Sequence, residues 1–302
     1  MTVMTVLGPV HADDLGTTLP HEHVFIDLVR EYRGDGLLND RALAVAELRE
    51  YVDAGGRTLV DCTSIGLARD PLALVSVARE TGLHIVMGCG YYRDPYLPPE
   101  LDTMSVDAVA DTIVRDIEEG VDGTGVRAGV IGEIGSDRGH LSALEERSFR
   151  AAARAHHRTG LTITTHAARW PVGLPQLDLL AEERVDPRRV VVGHCDMVPD
   201  PSYHLEVAGR GAFVELDTVQ GESEHDTQCR VAWVRNLAEH GFLDRVLLSQ
   251  DVCLRSNLRA LGGPGYAYVP TVFAERLRAA GFDDSDVRTI LVDNPRRALT
   301  GE

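Results

Sequence analysis

Eight short apolar runs, each followed by a stretch of helical periodicity, recur along almost the whole chain. That alternation constrains the fold more than any other feature of the sequence. Short runs rich in β-branched residues read as buried strands, and longer segments with apolar residues three and four apart read as helices. The first strand lies in 18–27, where Val24, Phe25 and Ile26 continue from His21-Glu22-His23. The other strands are expected at 58–63, 84–90, 128–134, 161–166, 190–195, 212–217 and 245–251. Helices are expected at 40–54, 70–81, 105–119, 142–159, 174–183, 203–209, 224–239, 271–280 and 284–291. Residues 1–18 read as a short hairpin, 3–7 against 17–19, around Gly8-Pro9 and 13–16.

Regular strand–helix alternation argues for a parallel sheet, and eight units argue for closure into an α/β (β/α)8 TIM barrel carrying a short N-terminal β-hairpin. An open doubly wound sheet is the alternative. No glycine-rich phosphate loop follows the first strand, and 123–129 has the wrong spacing and precedes a strand, so the barrel is favoured. With no linker and no break in composition, residues 1–302 form one expected domain.

On a strand, residues two apart point to the same side, so His21 and His23 can project together and grip one borderline metal ion. In isolation such a pair is ordinary. In a barrel, however, the chemistry sits at the C-terminal strand ends. Reading those ends in order gives His21, His23, Glu133, His166, His194 and Asp251. Each is a polar residue in or after an apolar run, where burial is costly unless it is paired or ligated. Six ligands exceed one tetrahedral site and suit two divalent ions sharing a carboxylate. Zinc is the first choice, with Mn2+, Co2+ or Fe2+ as alternatives.

The formal net charge of −17 argues against nucleic acid and anionic membranes as partners. All 30 basic residues are Arg, so lysine has no chemical role here. Cys62, Cys89, Cys195, Cys229 and Cys253 are scattered without a Cys-x-x-Cys, which suits reduced thiols in a cytoplasmic protein. The first residues show no basic, apolar leader, and no apolar run approaches the ~18 residues of a membrane span. The expected partner is a small-molecule substrate, with a homodimer left open.

The stretches Gly8…Leu15-Gly16-Thr-Thr-Leu-Pro-His-Glu-His23, Gly129-Val-Ile-Gly-Glu-Ile-Gly135, Thr164-Thr-His166, Val192-Gly-His-Cys-Asp196 and Leu248-Ser-Gln-Asp251 resemble the phosphotriesterase-related family of the amidohydrolase superfamily, over nearly the whole chain. The resemblance implies that His21, His23 and Asp251 hold a buried metal, that His166 and His194 hold a more exposed one, and that Glu133 bridges them. Phosphotriesterase proper bridges with a carboxylated lysine; glutamate at this position resembles the phosphotriesterase-homology branch. Asp217-Thr218 and Met197 stand where phosphotriesterase has its proposed proton-relay histidine and aspartate, and these departures point away from paraoxon-like triesters. In relatives, the positions of Tyr91, Tyr92, Arg255 and the Gly262–Tyr266 loop line the substrate pocket. Trp170 is a candidate cap, and Arg255 a candidate anion binder because guanidinium pairs well with carboxylate, sulfonate or phosphate. The cysteines near strand ends read as barrel packing.

The implied function is a binuclear metal-dependent hydrolase. A metal-bridging hydroxide would attack the carbonyl of an ester, lactone or amide while Asp251 takes up the proton. Organophosphate triester hydrolysis is the alternative within enzymes, and a non-catalytic metal-containing ligand-binding protein the alternative outside them.

Overall fold

A computed structural model describes residues 1–221 and 223–302. Its centre is an eight-stranded parallel sheet whose strands neighbour one another in chain order. We label them β1 (Thr17–Glu22), β2 (Gly56–Asp61), β3 (His84–Cys89), β4 (Val130–Gly135), β5 (Ile163–His166), β6 (Val190–Gly193), β7 (Phe213–Leu216) and β8 (Val246–Leu248). Parallel ladders join β1 to β2 and so on to β8, with register shifts in the β1–β2 and β4–β5 pairs. Among the described residues, β8 and β1 meet without a ladder. The sheet nonetheless curls into a nearly closed barrel with helices outside, as eight alternating units imply.

The helices begin where capping chemistry dictates. Asp40 accepts a hydrogen bond from Leu43 N at the start of α1 (Arg41–Asp53). Asp70 does the same for Ala73 N ahead of α2 (Pro71–Thr81), which opens on Pro71 and closes on left-handed Gly82. Ser105 caps α3 (Val106–Glu118). A reciprocal Ser142–Glu145 box starts α4 (Ala143–Thr159), which ends at left-handed Gly160. These are standard stop and start signals. α5 (Gly173–Glu182), α6 (Pro201–Gly209) and α7 (Glu224–Glu239) follow in turn. No helix among the described residues is long and apolar enough to cross a membrane.

Three local expectations are corrected. The N-terminal hairpin pairs Thr2–Thr5 with Gly8–His11, whereas 17–19 was expected as its second strand. Gly8 takes a φ of 111°, a conformation that glycine adopts without a Cβ clash. The chain therefore reverses over Val6-Leu7, and Thr17–Glu22 is released to become β1. The hairpin instead closes the bottom of the barrel, with Val3 and Leu15 packed against Val60, Val86 and Val130. The first strand also ends at Glu22 instead of running through Ile26. The chain turns away there, held by Val24 N–H donating to Asp61 Oδ2 at 2.8 Å, and Ile26–Asp27 pairs with Leu37–Leu38 in a separate small hairpin. Finally, the C-terminus carries one helix more than expected, Asn294–Thr300, continued from Asp284–Arg288 through the wider turns of 289–293.

Candidate metal centre

All six polar strand-end residues gather at the C-terminal mouth of the barrel. His21 lies on β1, His23 just past it, Glu133 on β4, His166 at the end of β5, His194 after β6 and Asp251 after β8. His194 and Asp251 have φ values of 56° and 48°. Non-glycine residues adopt this left-handed region rarely, and such outliers cluster at functional sites.

The carboxylate of Glu133 is the centre of the cluster. Its Oε1 lies 3.4 Å from His23 Nε2. Its Oε2 lies 2.9 Å from His166 Nδ1, 3.4 Å from His194 Nε2 and 3.5 Å from His21 Nε2. Asp251 Oδ1 is 3.3 Å from His23 Nε2. Two ligand groups therefore share Glu133: His21–His23–Glu133 and Glu133–His166–His194. Burial alone would raise the Glu133 carboxyl, but the imidazoles of His166, His194 and His21 crowded around it hold it well below the usual carboxylate range. The glycine before it is required: a Cβ on Gly132 would run into the Thr164 carbonyl of β5, and its φ is 128°.

A second ring of side chains aims the imidazoles. Asp217 Oδ1 is 2.8 Å from His194 Nδ1, and its Oδ2 is 3.2 Å from His21 Nδ1 and accepts from His194 N–H at 2.8 Å. Glu215 Oε2 adds a 3.0 Å contact to His21 Nδ1, and Thr63 Oγ1 lies 2.9 Å from His23 Nδ1. With each Nδ1 engaged outward, the three rings turn Nε2 toward Glu133, the arrangement by which carboxylates orient metal-ligating histidines. His21, His194 and Asp217 also come together as a possible ligand group, but these Nδ1 contacts make Asp217 a support for the rings. Tyr92 OH lies 3.2 Å from His166 Nδ1.

Divalent cations fit this donor set. His21 Nε2 and Asp251 Oδ1 are buried with no hydrogen-bond partner, and buried polar atoms are seldom left so. His194 Nε2 and His166 Nδ1 converge to 2.7 Å beside a carboxylate oxygen. Imidazole and carboxylate donors at such spacing suit zinc or a similar ion.

A cavity of about 480 Å3 opens above the cluster, with His23, Glu133, His166, His194 and Asp251 in its wall. Of the residues expected to meet substrate, Tyr92 lines it. Tyr91 is buried outside the lining, its carbonyl facing Ser148 Oγ. Tyr266 is buried behind the site and donates its hydroxyl to the His23 carbonyl at 2.6 Å. Arg255 faces a separate shallow recess with Asp40 and Leu258, because the chain after Asp251 turns back over α1. Trp170 is 52% exposed beside Gly139. The arginines that do line the cavity are Arg93, Arg169 and Arg230, none of which sequence reasoning singled out. Glu22, Glu215 and Asp217 also went unassigned as supports, although charged residues inside the runs 17–22 and 213–217 were a readable signal.

Comparison with known proteins places the chain in a family. The model of the phosphotriesterase family matches residues 1–299. A phosphotriesterase homology protein of Escherichia coli is 40% identical over 284 residues, covering 94% of this chain and 97% of that protein. An N-acetyltaurine hydrolase of Dictyostelium discoideum is 29% identical, covering 99% of this chain and 97% of that protein. The crystal structure of a lactonase from Listeria monocytogenes superposes with a TM-score of 0.92 at 28% identity, covering 100% of both chains. A matching family model over essentially the whole chain, a barrel of the same architecture and relatives named as hydrolases lead to one conclusion: the chain belongs to the phosphotriesterase family and is a hydrolase.

Proposed function

We propose that the chain, acting as one unit over residues 1–302, is a binuclear metal-dependent hydrolase that cleaves an ester, lactone or amide carbonyl of a small molecule. The observation that carries this reading is the division of Glu133, whose Oε1 faces His23 and whose Oε2 faces His166, His194 and His21. His21, His23 and Asp251 would hold one ion, His166 and His194 the other, and Glu133 would bridge them. Zinc is the ion we assign first from the nitrogen and oxygen donors. The bound ions would supply Lewis acidity and a water acidified toward neutrality.

The chain's own groups do the rest. The Asp251 carboxylate, in the cavity wall, accepts the proton of the attacking water with the oxygen not committed to the ion and returns it to the leaving group. Asp217 keeps the His21 and His194 rings aimed during that transfer, and the Tyr92 hydroxyl steadies His166. Thr218 is held by Asp196, with Oγ1 donating at 2.7 Å. It offers no titratable relay at that wall, which favours carbonyl substrates over phosphotriesters. The named activities of the relatives, on N-acetyltaurine and on lactones, fall in this carbonyl class. Five free cysteines, three of them buried, support a cytoplasmic setting.

The test is a screen of esters, lactones and N-acyl amines with the metal-loaded protein. Hydrolysis abolished by chelation and restored by added divalent ion is expected. Hydrolysis that survives complete metal removal would contradict the reading.

A further inference from the structure

The cavity's charges do not cancel. Five carboxylates line it: Glu31, Glu133, Asp137, Asp196 and Asp251. Glu31 grips Arg93 Nη2 with both oxygens, at 2.8 and 2.7 Å, and Asp137 pairs with Arg93 Nη1. Asp196 Oδ2 lies 2.8 Å from Arg230 Nε. Glu133 and Asp251 face the histidine cluster, where bound cations would compensate them. Of the three lining guanidiniums, Arg93 and Arg230 are thus paired with wall carboxylates. Arg169 has no carboxylate partner among the described residues, and its polar contact is Nη2 donating to Tyr32 OH at 3.4 Å.

We infer that Arg169 is a substrate-binding residue that selects small carbonyl substrates bearing a carboxylate or sulfonate. The inference rests on the hydrolase reading of the same cavity and names its substrate class. The chain's net charge of −17 repels anions at long range, so an anionic substrate needs a local cation to offset that field. Arg169 stands three residues beyond His166, so their Cα atoms are at most about 11 Å apart. Arg169 is solvent-exposed and lines the same cavity as His166, so a molecule that fills that cavity meets the cluster and Arg169 at once. The cavity, about 480 Å3, lies within the usual range for small-ligand pockets. Guanidinium is the right group, since it meets carboxylate or sulfonate oxygens through two parallel donors.

The experiment compares two aryl esters of the same acyl length, 4-nitrophenyl valerate and mono-(4-nitrophenyl) glutarate, together with calorimetric binding of glutarate to the metal-loaded protein. The wild type should prefer the glutarate ester, and that preference should shrink as salt rises past the point where the Debye length falls below about 10 Å. Arg169→Gln should lower the anionic-to-neutral ratio of kcat/KM about ten-fold, mainly through KM, and weaken glutarate binding similarly. Arg169→Lys should recover part of both. Equal losses on the two esters, or glutarate binding unchanged by Arg169→Gln, would overturn the inference while leaving the hydrolase intact. If neither ester is cleaved, glutarate binding that weakens in Arg169→Gln upholds the anion site, ester cleavage drops out of the proposed function, and binding that does not weaken overturns the inference.

Discussion

His21, His23 and Asp251 stand on the joint between β1 and β8, whereas His166 and His194 stand on β5 and β6, which share an ordinary parallel ladder that runs to Gly193 opposite His166. At the β1–β8 joint, side chains replace the ladder. The buried Glu22 carboxylate accepts from Ser249 Oγ at 2.7 Å and from Gln250 N and Val252 N at 2.8 Å each. Ser249 Oγ accepts from His21 N at 3.1 Å, and Asp251 N donates to His21 O at 3.3 Å. Gln220 Nε2 holds the Gln250 and Asp251 carbonyls from the other side. The ladder fixes backbone direction and leaves side chains out of the task. The seam spends buried polar groups on it, but it frees Asp251 to take a left-handed φ that no regular ladder admits.

Charge follows the same division. Burial alone would lower the His23 imidazole, but Asp251 and Glu133 push it up to about 9. Burial and neighbouring His194 instead pull His166 down to about 4. Glu22, Glu215 and Asp251 serve the seam side, whereas Glu133 and Asp217 contact both halves; the His21 side chain is fully buried, that of His166 is 12% exposed and that of Asp251 17%. The seam half thus carries the additional carboxylates, while both halves reach the cavity, through His23 and Asp251 on one side and His166 and His194 on the other.

The largest effect should come from the seam's reacting group. Asp251→Asn keeps the shape and removes the proton acceptor, so kcat should fall by about 10²–10⁴-fold, the usual weight of a general base. Far-UV circular dichroism should be unchanged, and near wild-type turnover would remove Asp251 from the chemistry. Next, Glu22→Gln turns an amide donor toward backbone donors and should cost about 2–3 kcal/mol in urea unfolding. As its counterpart on the ladder side, Thr164→Val replaces a buried hydroxyl that has no partner and should change stability by less than about 1 kcal/mol. Equal costs at the two positions would erase the distinction between seam and ladder. The smallest effect is expected at Tyr92→Phe. It removes one hydrogen bond to His166, worth about 1 kcal/mol, and should lower kcat/KM about five-fold with a loss of stability no larger than that.

The barrel was legible because its signals are local. Each apolar run, each cap such as Ser105 or Ser142, and each stop such as Gly82 or Gly160 lies within a few residues of what it specifies. Lone polar residues at apolar strand ends marked the cluster for the same reason. Partnership was the illegible part. Composition within 1–19 does not tell Gly8–His11 from Thr17–Leu19 as the mate of Thr2–Thr5; the backbone conformation at Gly8, with a φ of 111°, makes the choice. Val24–Ile26 has strand composition and leaves the barrel because Asp61, on another strand, captures its backbone. Arg255 and Arg169 look alike in sequence as arginines shortly after ligand residues. Which one meets the cavity depends on the path of the loop after β8 over α1, and that path is a tertiary property.

The account's central claim is that one glutamate serves two ligand groups. Metal content per chain, measured on extensively dialysed protein, tests it most directly. Two tightly held divalent ions are expected for the wild type, and no more than one for Glu133→Gln, whose neutral amide cannot offer an anionic oxygen to each half. A wild type that binds a single ion, or a Glu133→Gln variant that retains two ions and full activity, would contradict it.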